Sequence, residues 1–188
     1  MAMPAHTLEW TADRARALPD DGHRYEVLDG ELFVTPAPAL RHQWIVGKLY
    51  RAICEHAARR RVGWALFSPA DIEFTPQRLV QPDVFVVPWT ERPPTSWRDV
   101  TALLLAVEVL SPSTARADRQ VKRRIYQSEG VPEYWIVDAD ARLIERWRPG
   151  EARPEVIDDV LVWAPREEVE PMRVVLAELF GAEPAPAP

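Results

Sequence analysis

Apolar residues follow the spacing of β-strands in most segments of the chain. The clearest strands are RYEVL and ELFVT, joined by Asp29-Gly30, a dipeptide typical of two-residue hairpin turns. The segment LLLAVEVL at 103–110 is almost continuously apolar, the pattern of a strand buried on both faces. Further strands are predicted at 64–67, 70–75, 84–87, 134–138 and 142–147, with a weaker signal in 155–163.

Two longer segments have helical spacing instead. Residues 39–62 place their apolar side chains along one stripe, and Gly63 is predicted to end this helix. Residues 115–129 form the second helix. Shorter helices are predicted at 11–18 and 175–180. Many strands interrupted by two long helices predict a mixed α/β (α+β) fold with a central sheet flanked by helices.

Length and composition favour one globular domain. We predict a single domain over residues 1–181, followed by a disordered Pro/Ala tail over 182–188. No apolar run approaches the roughly 20 residues that span a bilayer, and the amino terminus does not have the pattern of a signal peptide. The single cysteine, Cys54, excludes an internal disulfide and a cysteine-based zinc site. A cytoplasmic protein without a membrane partner is therefore expected.

The net charge of −6 conceals two basic segments. Residues 41–61 carry a balance of +5 and residues 116–124 a balance of +4, so that all other residues sum to −15. Gathered positive charge is what a phosphate-contacting surface needs, and it agrees with a nucleic-acid partner. The solvated faces of two ordinary helices would give the same pattern, and charge alone does not separate the two interpretations.

Two carboxylates stand in or next to strands that are otherwise apolar. Glu108 lies inside LLLAVEVL, where a carboxylate is costly unless it is paired, hydrogen-bonded or bound to a metal. Asp83 follows Pro82 and opens the VFVV strand. Together the two acids supply the hard oxygen ligands that Mg²⁺ or Mn²⁺ prefers. The alternatives are a half-exposed or arginine-bound Glu108, and an Asp83 that only shapes a turn.

Only two of the 23 basic residues are lysine, Lys48 and Lys122. Because lysine offers a compact ammonium whose pKa can shift, a lysine within RQVKRR suggests chemistry. Lys122 belongs to the helix that follows Glu108, where its ammonium could offset charge that builds on a phosphate. The plainer alternative is a surface ion pair with Asp118, four residues earlier.

The segments QPDVFVV, VEVLSPST and DRQVKRRIYQSEGVPEYWIVD resemble the Uma-type restriction endonuclease family, a branch of the PD-(D/E)XK nuclease superfamily. The resemblance covers about residues 7–180. It implies a restriction-endonuclease-like fold with a central mixed sheet, in which Asp83 and Glu108 bind the catalytic metal. The superfamily pattern places a lysine two residues after the glutamate, but this chain has Leu110 there. The resemblance implies that Lys122 replaces it.

The segments RYEVLDGEL and RHQWIVGKL also resemble this family, which implies that Glu26 and His42 approach the same site. For Glu26 a cross-strand ion pair is an equal alternative, and Glu31 is a weaker candidate for its place. For His42 a helix-capping or phosphate-contacting role competes with general-base work. Trp44 or Trp97 could stack on bases.

The features together predict a divalent-metal-dependent endonuclease that hydrolyses phosphodiester bonds in DNA. Its catalytic residues are predicted to be Asp83, Glu108, Lys122, Glu26 and His42, with Mg²⁺ or Mn²⁺ held by Asp83 and Glu108. DNA is the expected partner, and a homodimer is expected if two sites cut two strands. The alternatives are a nucleic-acid-binding module without turnover and a protein-interaction scaffold with the same fold. Phosphate loops of the G-x-G-x-x-G or GK[ST] type do not occur.

Overall fold

The structure, a computed structural model, describes residues 9–181 of the 188-residue chain. The predicted tail at 182–188 lies outside the described residues, so that the division into domain and tail stays a prediction. Helices form at α1 (Ala12–Arg16), α2 (Leu40–Arg59), α3 (Ala115–Ala117), α4 (Arg123–Ser128) and α5 (Leu176–Leu179), with a 3₁₀ turn at Trp97–Asp99. A π-helical turn (Asp118–Lys122) joins α3 to α4, and we call the whole element the 115–128 helix.

Twelve strands form three sheets in the described residues. Their bounds are β1 (Arg24–Leu28), β2 (Glu31–Thr35), β3 (Gly63–Phe67), β4 (Ile72–Thr75), β5 (Arg78–Val80), β6 (Val84–Pro88), β7 (Leu105–Val109), β8 (Glu133–Asp138), β9 (Leu143–Trp147), β10 (Glu155–Ile157), β11 (Val160–Trp163) and β12 (Met172–Val175). The central sheet has the order β10-β9-β8-β7-β6-β3, and a smaller one has the order β2-β1-β5-β4. β11 and β12 form a two-stranded ribbon. β7 and β8 pair in parallel while their other neighbours are antiparallel, so the predicted mixed sheet is confirmed.

The central sheet is covered on both faces. α2 buries Ile45, Leu49 and Ile53 against one face, and the 115–128 helix buries Ile125 and Tyr126 against the other. All five residues of β7 are buried, as the apolar run predicted. The predicted α/β architecture with helices flanking a central sheet is confirmed. In the described part of the chain, no helix is long and apolar enough to cross a membrane.

The predicted hairpin around Asp29-Gly30 forms as expected. β1 pairs with β2 from Arg24 opposite Thr35 to Leu28 opposite Glu31. Asp29 and Gly30 have φ angles of 50° and 84°, the left-handed pair that a tight hairpin turn of this twist requires. This hairpin fixes which residues of β1 face the central sheet.

The prediction that Gly63 ends the long helix is wrong. α2 ends at Arg59, and Arg61 takes the left-handed position with φ 50° while the Val62 amide donates to the Ala57 carbonyl. Gly63 instead begins β3, where a Cβ would lie 2.2 Å from the Val87 carbonyl oxygen. Close approach of two strands, not helix termination, is the physical reason for glycine here.

Two short strands were not predicted. β5 has three residues and β12 has four, too few for an alternating pattern to stand out. β5 lies between β1 and β4 in the smaller sheet and leads directly into the Gln81-Pro82-Asp83 segment. The missed strand therefore positions part of the candidate site.

Candidate active site

Asp83 and Glu108 lie at one end of the two central antiparallel strands. β6 pairs with β7 through Val84 opposite Val107, and Asp83 and Glu108 are the residues next to this pair in the chain. Glu108 contacts Lys122 and Tyr126 of the 115–128 helix, and each of the two acids is only 3% exposed. The alternative of a half-exposed Glu108 is therefore wrong.

Lys122 lies within the π-helical turn and reaches back to the sheet. Its Nζ is 2.9 Å from Glu26 Oε2, 3.0 Å from Glu108 Oε1 and 3.4 Å from Asp118 Oδ1. The Tyr126 hydroxyl donates to the same Glu108 oxygen at 3.3 Å. The pair with Asp118 exists as predicted, but both side chains are buried, so the surface ion pair is wrong. A π turn within a helix often marks a functional site.

Glu26 reaches the same ammonium from the hairpin. Across the strand pair it stands opposite Phe33, and it forms its ion pair with Lys122 instead of a cross-strand partner. Its other carboxylate oxygen accepts a hydrogen bond from the backbone N–H of Gln81 at 2.8 Å. Glu26 thus links the smaller sheet to the 115–128 helix.

Asp83 has a separate set of partners. Arg24 Nη1 donates to its Oδ1 at 2.9 Å, the Val109 N–H donates to its Oδ2 at 2.9 Å, and His42 Nε2 lies 3.3 Å from Oδ2. Burial acts to raise the pKa of Asp83, but the hydrogen bond and charge of His42, the charge of Arg24 and the Val109 N–H hold that pKa below its ordinary value. Asp83 is therefore an ionised, oriented carboxylate. Ala39, not His42, is the N-cap of α2.

Glu108 and Lys122 have strongly perturbed acidities. Burial raises the pKa of Glu108 well above its ordinary range, against the charge of Lys122 and together with the charges of Asp83, Asp118 and Glu26. Burial acts to lower the pKa of Lys122, but Glu108, Glu26 and Asp118 outweigh it and raise that pKa well above its ordinary range. Lys122 is therefore a permanent ammonium. For Glu108, the positive charge of Lys122 does not compensate for burial, so the protonated form is favoured.

The cluster has more acids than cations. Glu26, Asp83, Glu108 and Asp118 are buried, and they face the cations of Lys122 and Arg24. Four acidic side chains therefore face two permanent cations and His42. Residues 9–181 contain no group of three or more His, Cys, Asp or Glu side chains arranged as a metal site. The excess of acids over cations and the carboxylate oxygens nevertheless fit a divalent hard cation.

Three cavities lie at the site. A central cavity of about 180 Å³ lies over Asp83 and Glu108, walled by the loops 35–39 and 111–114. A second cavity of about 420 Å³, here called the Phe33 pocket, shares Lys122 with it as a lining residue. A third cavity of about 430 Å³, here called the Arg41 pocket, shares His42 with the central cavity and is lined by Arg41 and Arg119 with their ion-pair partners Asp140 and Asp138. The three cavities are neighbours with shared lining residues, and we call them together the channel.

The two basic segments contribute unequally to this channel. Arg41 and Arg119 line the Arg41 pocket, and Arg116 lines the Phe33 pocket. The arginines at 59–61 lie at the opposite end of α2 from Arg41. A helix of 20 residues is about 30 Å long, so these arginines are far from the cavities. Lys48 binds another part of the protein, since its Nζ donates to three backbone carbonyls at the end of α5.

The remaining candidates lie farther from the acids. Glu31 is exposed and lines the Phe33 pocket, so it does not take the place of Glu26. Trp44 and Trp97 are each 41% exposed, and Trp97 lies edge-on to Phe85. Neither tryptophan lines the three cavities of the channel.

Three members of the cluster were not predicted from the sequence. Arg24 binds Asp83, Gln81 donates its N–H to Glu26, and Tyr126 donates to Glu108. A signal existed for Arg24, because residues two apart on a strand face the same side and Arg24 stands two residues before Glu26. Gln81 acts through its backbone, which a residue pattern cannot indicate.

A central mixed sheet with helices on both faces is the fold of restriction-endonuclease-like proteins. The chain belongs to the Uma2 family, described as "putative restriction endonuclease", whose sequence model matches residues 12–176. A solved structure titled as a putative nuclease belonging to DUF820, from Anabaena variabilis, is similar with a TM-score of 0.74. The two chains are 21% identical over 90% of this chain and 97% of the other, which shows a shared fold. No curated protein matches the chain.

Proposed function

We propose that the protein is a divalent-metal-dependent endonuclease that hydrolyses phosphodiester bonds in DNA. The observation that carries this proposal is the buried cluster of four acids facing two permanent cations, in a cavity whose neighbouring pockets include arginines in their walls. A buried excess of carboxylate is costly unless a cation balances it. Membership of a restriction endonuclease family supports the same activity.

In this proposal Asp83 and Glu108 hold the metal. Both line the central cavity, and the lowered pKa of Asp83 keeps that carboxylate ionised. Arg24 and the Val109 N–H fix its orientation. A bound Mg²⁺ or Mn²⁺ supplies a Lewis acid for the phosphate and lowers the pKa of water. Glu108 would face this cation as well as the ammonium of Lys122.

Lys122 has the role of offsetting negative charge on the phosphate. Its Nζ is 3.0 Å from Glu108, so it lies beside the carboxylate that would hold the metal. A fixed ammonium with a raised pKa stays charged at every working pH and needs no rearrangement when charge develops. His42 orients Asp83 through Nε2, and Glu26 orients Lys122.

A nucleic-acid-binding module without turnover is the second candidate. The specific observation in its favour is that both oxygens of Asp83 already have partners and that Lys122 is surrounded by three carboxylates. In such a module Lys122 would substitute for the metal as the counter-ion of the acids. The channel arginines would still contact phosphate.

Plasmid nicking separates the two candidates. Purified protein is incubated with supercoiled plasmid in Mg²⁺, Mn²⁺ or EDTA, beside Asp83→Ala, Glu108→Ala and Lys122→Ala. Asp158→Ala, a change at an exposed acid, is the matched control. We expect metal-dependent nicking by the wild type and the control, and a loss of about a hundredfold or more in the three site variants.

Other outcomes identify the alternatives. Salt-dependent DNA binding without cleavage by any metal would establish the binding module. Absence of both binding and cleavage would leave the protein-interaction scaffold. The expected cytoplasmic location and the homodimer stay predictions, the latter measurable by sedimentation of the purified protein.

A further inference from the structure

Two permanent cations line the central cavity, Lys122 and Arg24, and they differ in the number of donors they have left. The Lys122 ammonium has three N–H donors and three carboxylates within 3.4 Å, so the acids can occupy all of its donors. The Arg24 guanidinium has five N–H donors, and among residues 9–181 it forms one ion pair, with Asp83. The cation with donors to spare at this cavity is therefore Arg24.

The unused donors of Arg24 lie along one edge of its guanidinium. Nη1 donates to Asp83 Oδ1 at 2.9 Å, while Nε is buried and has no hydrogen-bond partner in the described part of the chain. In any guanidinium, Nε–H and one N–H of Nη2 point the same way, and this edge matches two oxygens of one phosphate. A buried donor without a partner is costly, so an acceptor at this edge would stabilise the site.

The charge and the surroundings of Arg24 favour an anionic acceptor. Burial acts to lower the pKa of this guanidinium, but Asp83, Glu108 and Glu26 outweigh it and raise that pKa, so the cation is permanent. The central cavity is also lined by hydroxyl groups, which donate to phosphate oxygens in nucleic-acid complexes. These hydroxyls belong to Thr35, Ser111, Ser113 and Thr114.

We propose that Arg24 is a catalytic residue that binds the scissile phosphodiester through Nε and Nη2 while Nη1 stays on Asp83. The inference rests on the proposed nuclease function and names the residue that contacts its substrate. One guanidinium then holds the phosphate beside the carboxylate that would hold the metal. Lys122 acts on the same phosphate through its charge, since its donors are directed at the acids.

Binding of the thymidine dinucleotide dTpdT tests the inference, because this molecule contains a single phosphodiester. Its affinity is measured by NMR titration of the protein in Ca²⁺, beside that of the same dinucleotide with a neutral methylphosphonate link. Arg24→Lys keeps a cation next to Asp83 but removes the two-donor edge, and Arg24→Gln removes the charge as well.

Arg16→Gln is the matched control. The Arg16 side chain is 26% exposed against 21% for Arg24, and it too is paired with acids, Asp71 and Glu73. Arg16 does not line the three cavities of the channel. Thermal melting establishes that each variant is folded, and Arg24→Lys decides the test if Arg24→Gln does not fold.

The expected results separate contact with the phosphate from orientation of Asp83. The wild type should bind dTpdT at least about tenfold more tightly than the methylphosphonate. Arg24→Lys and Arg24→Gln should each lose about tenfold on dTpdT and little on the methylphosphonate, while Arg16→Gln stays close to the wild type on both. Wild-type affinity of Arg24→Lys for dTpdT, an equal loss on both dinucleotides, or no binding of dTpdT by the wild type would overturn the inference.

Failure of this inference can be told apart from failure of the nuclease proposal. Metal-dependent nicking that Arg24→Lys retains in full would remove the inference alone. A selective loss of dTpdT affinity in Arg24→Lys, without nicking by the wild type in any metal, would support the contact and remove the nuclease proposal. If both proposals hold, nicking by Arg24→Lys falls about tenfold or more while Arg16→Gln retains it.

Discussion

Replacing Lys122 by methionine tests the charge balance of the buried cluster. The substitution keeps an unbranched side chain of similar length in the π-helical turn but removes the ammonium. Glu26, Glu108 and Asp118 all lie within 3.4 Å of that ammonium. Without it, three buried carboxylates face one another with no cation among them.

The expected cost follows from these contacts. Removing one partner of a buried ion pair costs about 3–5 kcal/mol. The pKa values of Glu108 and Asp118 are already raised, chiefly by burial, so protonation relieves part of the repulsion and we expect about 3 kcal/mol. For a chain of 188 residues each kcal/mol lowers Tm by about 2–4 °C, so Tm should fall by about 6–12 °C at pH 7.

Thermal denaturation followed by circular dichroism measures this loss, in EDTA at pH 7 and pH 5. Because the acids of the variant bind protons more readily in the folded state, its stability is greater at low pH and is lost as pH rises. The Tm deficit should therefore shrink at pH 5. Lys48→Met is the matched control, since Lys48 contacts only backbone carbonyls among the described residues and its deficit should not change with pH.

A small, pH-independent deficit would refute this reasoning. If Lys122→Met melts within about 2 °C of Lys48→Met at both pH values, the three carboxylates do not depend on Lys122 as argued. Nicking activity is a second readout. Under the proposed function it should fall about a hundredfold or more in Lys122→Met and be retained in Lys48→Met.

Three further predictions concern single positions. Burial raises the pKa of Glu108 against the charge of Lys122, so ionisation of Glu108 weakens the fold as pH rises above about 4.3; Glu108→Gln should therefore gain in Tm relative to the wild type with rising pH while losing cleavage. Asp83 has a lowered pKa despite its burial, so its contribution is present above about pH 4 and declines as pH falls from there through the folded-state pKa; Asp83→Asn should cost about 2–3 kcal/mol at pH 7 and progressively less as pH falls below about 4, by urea denaturation. Gly63→Ala should cost about 1–3 kcal/mol in the same assay, because its Cβ would meet the Val87 carbonyl oxygen at 2.2 Å and backbone cannot move aside cheaply.

The features that sequence could predict are those with a local physical cause. The Asp29-Gly30 turn requires two left-handed residues, and that requirement is visible in the dipeptide. Glu108 stands out because a carboxylate inside an apolar run conflicts with burial unless something compensates. The order of strands around the central sheet was not predicted, because pairing depends on contacts between distant segments.

The partners of the candidate site depended on such distant contacts. Lys122 and Glu26 are 96 residues apart in sequence, and their ion pair arises only when the hairpin packs against the 115–128 helix. An i, i+4 pair of Asp118 and Lys122 has the same pattern whether it is solvated or buried, so sequence could not decide between the two. The π-helical turn that brings both side chains inward likewise has no residue signature.

Direct measurement of Mn²⁺ binding tests the central claim, that the buried acids form a divalent-metal site. Isothermal titration calorimetry would compare the wild type with Asp83→Ala and Glu108→Ala, with Asp158→Ala as the exposed-acid control. We predict that Mn²⁺ binds to the wild type and the control with the same affinity, and more than about tenfold more weakly to both site variants. Equal Mn²⁺ affinity in all four proteins, or no binding by the wild type, would contradict the claim.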